Sequence, residues 1–133
     1  KKLELFKKKR RYIVNCYNQA FHDVPNLIVP YESDSCNSNF HLYVLLFDFK
    51  KMGSTRNQFK KNIELKMVGS QIHYIPVHLQ PYYQENYGTS WGDLTHAENY
   101  FQQCLSIPLY PSMTEDDVMT VIQVIKAACQ GKQ

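Results

Sequence analysis

A mixed fold, with helices packed on a small sheet, is what this sequence predicts, and three observations carry the prediction. Apolar residues recur at helical spacing near the start of the chain, at Ile13, Tyr17 and Phe21. They do so again near its end, at Val118, Val121, Ile122 and Ile125. Between these stripes, Phe40 to Phe49 is almost continuously apolar or aromatic and too short for a helix of its own. The implied order of helix, strand, helix, strand, helix, strand, helix fits either a parallel sheet with crossover helices or a small mixed sheet with helices packed on it. At 133 residues the chain has the size of one domain, and residues 1–133 are expected to form one.

The first helix runs from Leu3 through Phe21, with Leu3 and Phe6 continuing its apolar stripe and the run Lys7, Lys8, Lys9, Arg10, Arg11 facing water. It must stop before Pro25, which pushes its predecessor out of the helical region. Pro30 to Asn39, rich in Ser, Asp and Asn, reads as a loop. Phe40 to Phe49 then reads as a central strand buried on both faces, and His41 as a structural histidine within it. Ser54 or Thr55 can cap a second helix with the stripe Phe59, Ile63, Met67, ending near Gly69. Gln71 to Ile75 alternates as a short strand would, with Ile72 and Tyr74 on one face and His73 on the other. Pro76 and Pro81 break regular structure beyond it. Thr95 with Glu98 has the form of a capping box before a helix bearing Ala97, Tyr100, Phe101 and Cys104. Leu105 to Leu109 reads as an edge strand, since Pro108 cannot donate to a ladder. Thr114 caps the last helix, whose first turn carries Glu115, Asp116 and Asp117 where the helix dipole favours negative charge, and Gly131 marks its end.

Composition narrows the function classes. Apolar residues at 44% and charged residues at 20% are near soluble averages, and the longest apolar stretch is far too short to span a bilayer. No membrane association is expected, and the absence of a cleavable leader pattern makes the cytoplasm the expected location. Cys16, Cys36, Cys104 and Cys129 lack the short paired spacings of zinc or redox sites and read as free thiols. A net charge of +3 is mild, and its source is the basic run of the first helix.

The segment QIHYIPVHLQPYY, Gln71 to Tyr83, holds two histidines, two prolines and three tyrosines in thirteen residues. Imidazole and phenol groups held by prolines make a binding loop. Here the chain resembles the DegT/DnrJ/StrS type of pyridoxal-phosphate-dependent sugar aminotransferase. Within that family it is most similar to enzymes of the UDP-4-amino-4,6-dideoxy-N-acetyl-L-altrosamine transaminase kind. The resemblance takes in the basic opening helix, the strand NFHLYVLLF, the helix behind Arg56, the HYIPVHLQPYY loop and AENYFQQCLSIPLYPSMTEDDV, and so covers nearly the whole chain. One departure is Met67, where the family tends to carry glycine, which implies a different cap geometry or strain.

The resemblance implies an α+β fold, a small, mostly antiparallel sheet packed with helices, as the C-terminal small domain that follows a large cofactor-binding domain. It also implies a homodimer with active sites built from both subunits. The chain begins at Lys1 inside an amphipathic pattern and is expected to be a fragment without that large domain, inactive alone. Every lysine from Lys1 to Lys132 falls in a polar run, a turn or a tail, where none would readily lose its proton, and no glycine-rich phosphate loop follows a strand. No catalytic, cofactor-binding or metal-ligating residue is therefore assigned, and no bound pyridoxal phosphate is expected. The candidate substrate contacts are His73, Tyr74, His78, Tyr82 and Tyr83, which can hydrogen-bond a diphosphate or sugar hydroxyl while their rings pack on a base or sugar. Tyr74 with Ile72 reads equally as core. His73 and His78 lack a third ligand for a metal, and Ser90 with Asp93 lacks the histidine of a nucleophilic triad.

The implied partners are a nucleotide-linked 4-keto-6-deoxy sugar and an amino-acid donor. Two other readings stand beside this one. The first is a non-catalytic module that binds an anionic partner such as single-stranded nucleic acid, against which the separation of the basic run from the tyrosines argues. The second is a split-gene product that docks on a separate large domain.

Overall fold

The computed structural model describes residues 2–131. Helix α1 spans Lys2–Phe21, followed by strands β1 (Leu27–Ile28) and β2 (Tyr43–Phe47), and helix α2 spans Arg56–Glu64. A 3-10 turn at Val77–Leu79 leads into α3 (Pro81–Tyr87) and α4 (Thr95–Gln103), which is followed by β3 (Cys104–Ile107) and α5 (Glu115–Cys129). The sheet is antiparallel in the order β1-β2-β3, so the architecture is α+β and the parallel alternative falls away.

Strand β2 is central, as its composition predicts, but its two faces differ. Tyr43, Leu45 and Phe47 are fully buried, whereas Val44 and Leu46 are half-buried. Helices α1, α2 and α5 supply Tyr17, Phe21, Phe59, Ile63 and Ile125 to the same core. Each of these large side chains contributes about 1.5–3 kcal/mol by leaving water. Two buried phenols also bond: Tyr17 donates to the Pro108 carbonyl at 2.9 Å and Tyr43 to Asn18 Oδ1 at 2.6 Å, fastening α1 to the sheet. Burial raises the pKa of both tyrosines, so they remain donors throughout the physiological range.

The capping predictions hold at two helices and fail at one. Thr55 with Gln58 and Thr114 with Asp117 both close reciprocal capping boxes. At α4, Thr95 makes no cap bond and sits inside the helix, because Leu94 occupies the cap position. The stripe expected on that helix is also displaced. Ala97 and Tyr100 are exposed, Cys104 belongs to β3, and Glu98 is the buried residue of α4.

Further corrections share the same logic of local constraint. Leu3 and Phe6 lie on exposed turns of α1, whose burial begins at Ile13. Arg11 is not simply a solvated charge: its guanidinium forks onto Glu32 at 2.7 and 3.1 Å, donates to the Ser38 carbonyl at 2.8 Å and lies over Phe40. His41 is exposed just ahead of β2. Helix α2 ends at Glu64, so Met67 leaves its stripe, stands 92% exposed at φ +62°, and Val68 takes the buried place. A non-glycine residue in that left-handed region is strained, the second of the two outcomes expected of Met67 at that position.

The strand expected at Gln71–Ile75 reduces to one bridge, in which Gln71 and Ser106 exchange both backbone hydrogen bonds. The ladder cannot extend either way. In this register Pro108 would face residue 69 without an N–H, and the Cys104 N–H, which would face residue 73, already bonds the Tyr100 carbonyl. Strand β3 lies at the edge of the sheet as the sequence predicts, but it begins at Cys104 and ends at Ile107, so Pro108 and Leu109 fall outside it.

Candidate functional site

From Gln71 to Tyr87 the chain crosses the outer edge of β3, turns at Val77–Leu79 and forms α3, where Pro81 starts a helix rather than breaking one. Gly88, at φ +67°, ends that helix in the left-handed conformation. The prolines, read from sequence as breakers, thus shape a turn and a helix start.

His73 is half-buried, and its Nδ1 lies 2.8 Å from Ser106 Oγ. This bond fixes the ring and leaves Nε2 for another partner. Tyr74 is 76% exposed, which removes it from the core alternative. Tyr82 and Tyr83 are exposed on α3, in edge contact with each other, and both meet Tyr87 within 6.3 Å between ring centroids. His78 is placed differently from the other four. Its ring is 6% exposed and its Nε2 lies 2.9 Å from Glu98 Oε1, so it turns into the fold instead of toward solvent. Ser90 bonds Asp93 through its backbone N–H at 2.6 Å, as a turn does.

Sequence reasoning missed Glu98 and Ser106. Glu98 Oε1 also accepts from the Gly92 N–H at 2.8 Å and the Leu94 N–H at 3.3 Å, so one carboxylate ties the turn that leads into α4 and holds His78. Burial pushes the Glu98 carboxyl up, but the bonds from His78, Gly92 and Leu94 together outweigh it and hold the pKa below the ordinary carboxylate value. The sequence offered only its fit to a capping box with Thr95, which points to a surface role and not to a buried one.

Chemically, the segment offers an imidazole nitrogen, phenol hydroxyls and flat ring faces to something outside this chain. The grooves between α2 and α5, and between α1 and the start of α5, contain none of residues 71–83. Among the described residues no group of three His, Cys, Asp or Glu side chains could hold a metal ion, and no helix is long and apolar enough to cross a membrane.

The model of the DegT/DnrJ/EryC1/StrS aminotransferase family matches residues 1–126. The spore coat polysaccharide biosynthesis protein SpsC of Bacillus subtilis is 40% identical over 132 residues, which are 98% of this chain and 34% of that protein. The aminotransferase TlmJ of Streptoalloteichus hindustanus superposes with a TM-score of 0.85 at 25% identity, over 98% of this chain and 34% of its own. PseC of Helicobacter pylori, an aminotransferase involved in the biosynthesis of pseudoaminic acid, shares the fold with a TM-score of 0.85 at 20% identity, over 95% of this chain and 33% of its own. The chain spans about a third of the length of these relatives.

Proposed function

Because the chain belongs to the DegT/DnrJ/EryC1/StrS aminotransferase family, we propose that residues 1–133 form the small C-terminal domain of an enzyme that aminates a nucleotide-linked 4-keto-6-deoxy sugar. The amino donor is an amino acid, the setting is cytoplasmic, and the product feeds a cell-surface polysaccharide or glycan. The observation that supports this reading is that Tyr74, Tyr82 and Tyr83 stand exposed on the same short segment as His73, whose ring is fixed through Nδ1 by Ser106. In this proposal they form a wall, which is half a site. The other half belongs to the remainder of the enzyme, whether joined to this chain or encoded separately, and to the partner subunit of a homodimer.

Pyridoxal phosphate is the cofactor of this family. It supplies the electron sink for transamination, and a protein that holds it needs a desolvated lysine and donors around its phosphate. Among the described residues no lysine is buried, and Lys1 and Lys132 lie outside them. The residues present do not fit the cofactor. In this proposal the lysine and the phosphate cup lie in the large domain, and the chain alone is inactive.

What this chain supplies is binding. His73 Nε2, oriented through Nδ1 and Ser106, and the tyrosine hydroxyls hold sugar or diphosphate oxygens, while the rings exclude water from one side. In the full-length enzyme, His73→Ala or Tyr83→Phe is expected to cost about 1.5–3 kcal/mol in kcat/KM. The cofactor absorbance band and the melting curve should be unchanged. Variants that melt early yet keep full specific activity when folded would show the residues to be structural and sink the substrate-wall reading.

A further inference from the structure

The described residues contain three buried polar or charged side chains, His78, Glu98 and Ser106, and all three anchor the same short segment. Ser106 takes the segment at Gln71 through its backbone and at His73 through its hydroxyl. Glu98 takes it at His78. Apolar anchoring is almost absent there. From Tyr74 to Tyr87 the one buried side chain is His78, α3 buries none, and Glu98 is the one buried residue of α4. The far side of the turn is fastened to the same point, since Thr89 Oγ1 donates to the His78 carbonyl at 2.6 Å.

A buried polar pair is a poor device for stability, because an apolar pair of the same volume commonly does as well. It is a good device for direction. A bond with its angular preference and two backbone N–H groups converging on one oxygen admits one placement of the turn, where an apolar contact would tolerate sliding.

We propose that His78 and Glu98 are a positioning pair: their bond sets where Tyr82 and Tyr83 stand relative to His73, and so the shape of the ligand-facing wall. The inference rests on the substrate-wall reading above. His78 touches no ligand in it, and acts through the turn it holds.

The test uses the full-length enzyme with His78→Leu, which removes the cross-element bond, fills most of the volume and leaves Glu98 its two backbone donors. Glu98→Gln serves as the conservative variant, since the amide oxygen still accepts. Amide hydrogen exchange and steady-state kinetics with a nucleotide-linked 4-keto-6-deoxy sugar are measured on both. His78→Leu should raise exchange at Val77–Tyr83 with α5 unchanged, and lower kcat/KM roughly ten- to hundredfold, chiefly through KM, because a misplaced wall loses binding geometry. Glu98→Gln should stay within about threefold of wild type, a loss of the size of one weakened hydrogen bond. Unchanged exchange at Val77–Tyr83, or a rise shared equally by α5, would overturn the proposal. So would a local rise in exchange accompanied by wild-type kcat/KM, which would make the pair structural only. If the wild-type enzyme aminates no such sugar, the underlying reading falls by that control, and the exchange arm decides the pair by the same criteria.

Discussion

In strand β2 every second side chain is fully buried, at Tyr43, Leu45 and Phe47, whereas from Tyr74 to Tyr87 a single buried side chain, His78, carries the whole stretch. The first region is held by area and packing, which are non-directional and draw on many neighbours at once. The second is held by a few hydrogen bonds to buried partners and exposes its aromatic rings. Tyr74, Tyr82 and Tyr83 thus stand in water while the buried polar residues bond the segment that bears them, which is the arrangement the proposed substrate wall calls for.

The sharpest way to break this comparison is to cut one large side chain from each region. Leu45→Ala should cost about 2–5 kcal/mol of unfolding free energy, since Leu45 is fully buried in the central strand. Tyr82→Ala should cost less than about 0.5 kcal/mol, as exposed substitutions do. Denaturant melts measure both, and similar losses would mean that α3 belongs to the core after all.

That contrast also explains what the sequence made legible. Apolar patterning is the signal of packing: helical periodicity located the buried half of α1, α2 and the whole of α5, a short continuous apolar run located β2, and Thr114 was legible as the cap of α5. The 71–87 segment has no such period. Its histidines and tyrosines could be named as a group, but alternation suggested a strand at Gln71–Ile75 that Pro108 and the spent Cys104 N–H forbid. The two-residue β1 was missed because Leu27–Ile28 is too short to show a period. The roles of Glu98 and Ser106 depend on partners 20 and 33 residues away, a distance at which local pattern carries no information.

Smaller effects sharpen the same picture. Thr114→Ala should cost about 1 kcal/mol, because it frees the Asp117 N–H at the start of α5. Thermal denaturation measures it, and a loss several times larger would indicate a packing role for the threonine.

Acid should separate the regions most gently. Glu98 has its folded pKa held below the ordinary value. Its contribution is therefore complete above the ordinary carboxylate range and is lost as pH falls through the folded value. Hydrogen exchange at Gly92 and Leu94, whose N–H groups bond Glu98, should consequently quicken on acidification before exchange in α5 does. Simultaneous loosening of both would show the carboxylate to be part of one cooperative core.

The central claim is that residues 71–83 are the ligand-facing wall of a larger active site, and exchange mapping on the full-length enzyme tests it most directly. Spectra are compared with and without a UDP-linked 4-keto-6-deoxy sugar at saturating concentration. The account predicts new protection within residues 71–83, with Val118–Ile125 of α5 unchanged. Protection that spares residues 71–83 and falls elsewhere on this chain would contradict it.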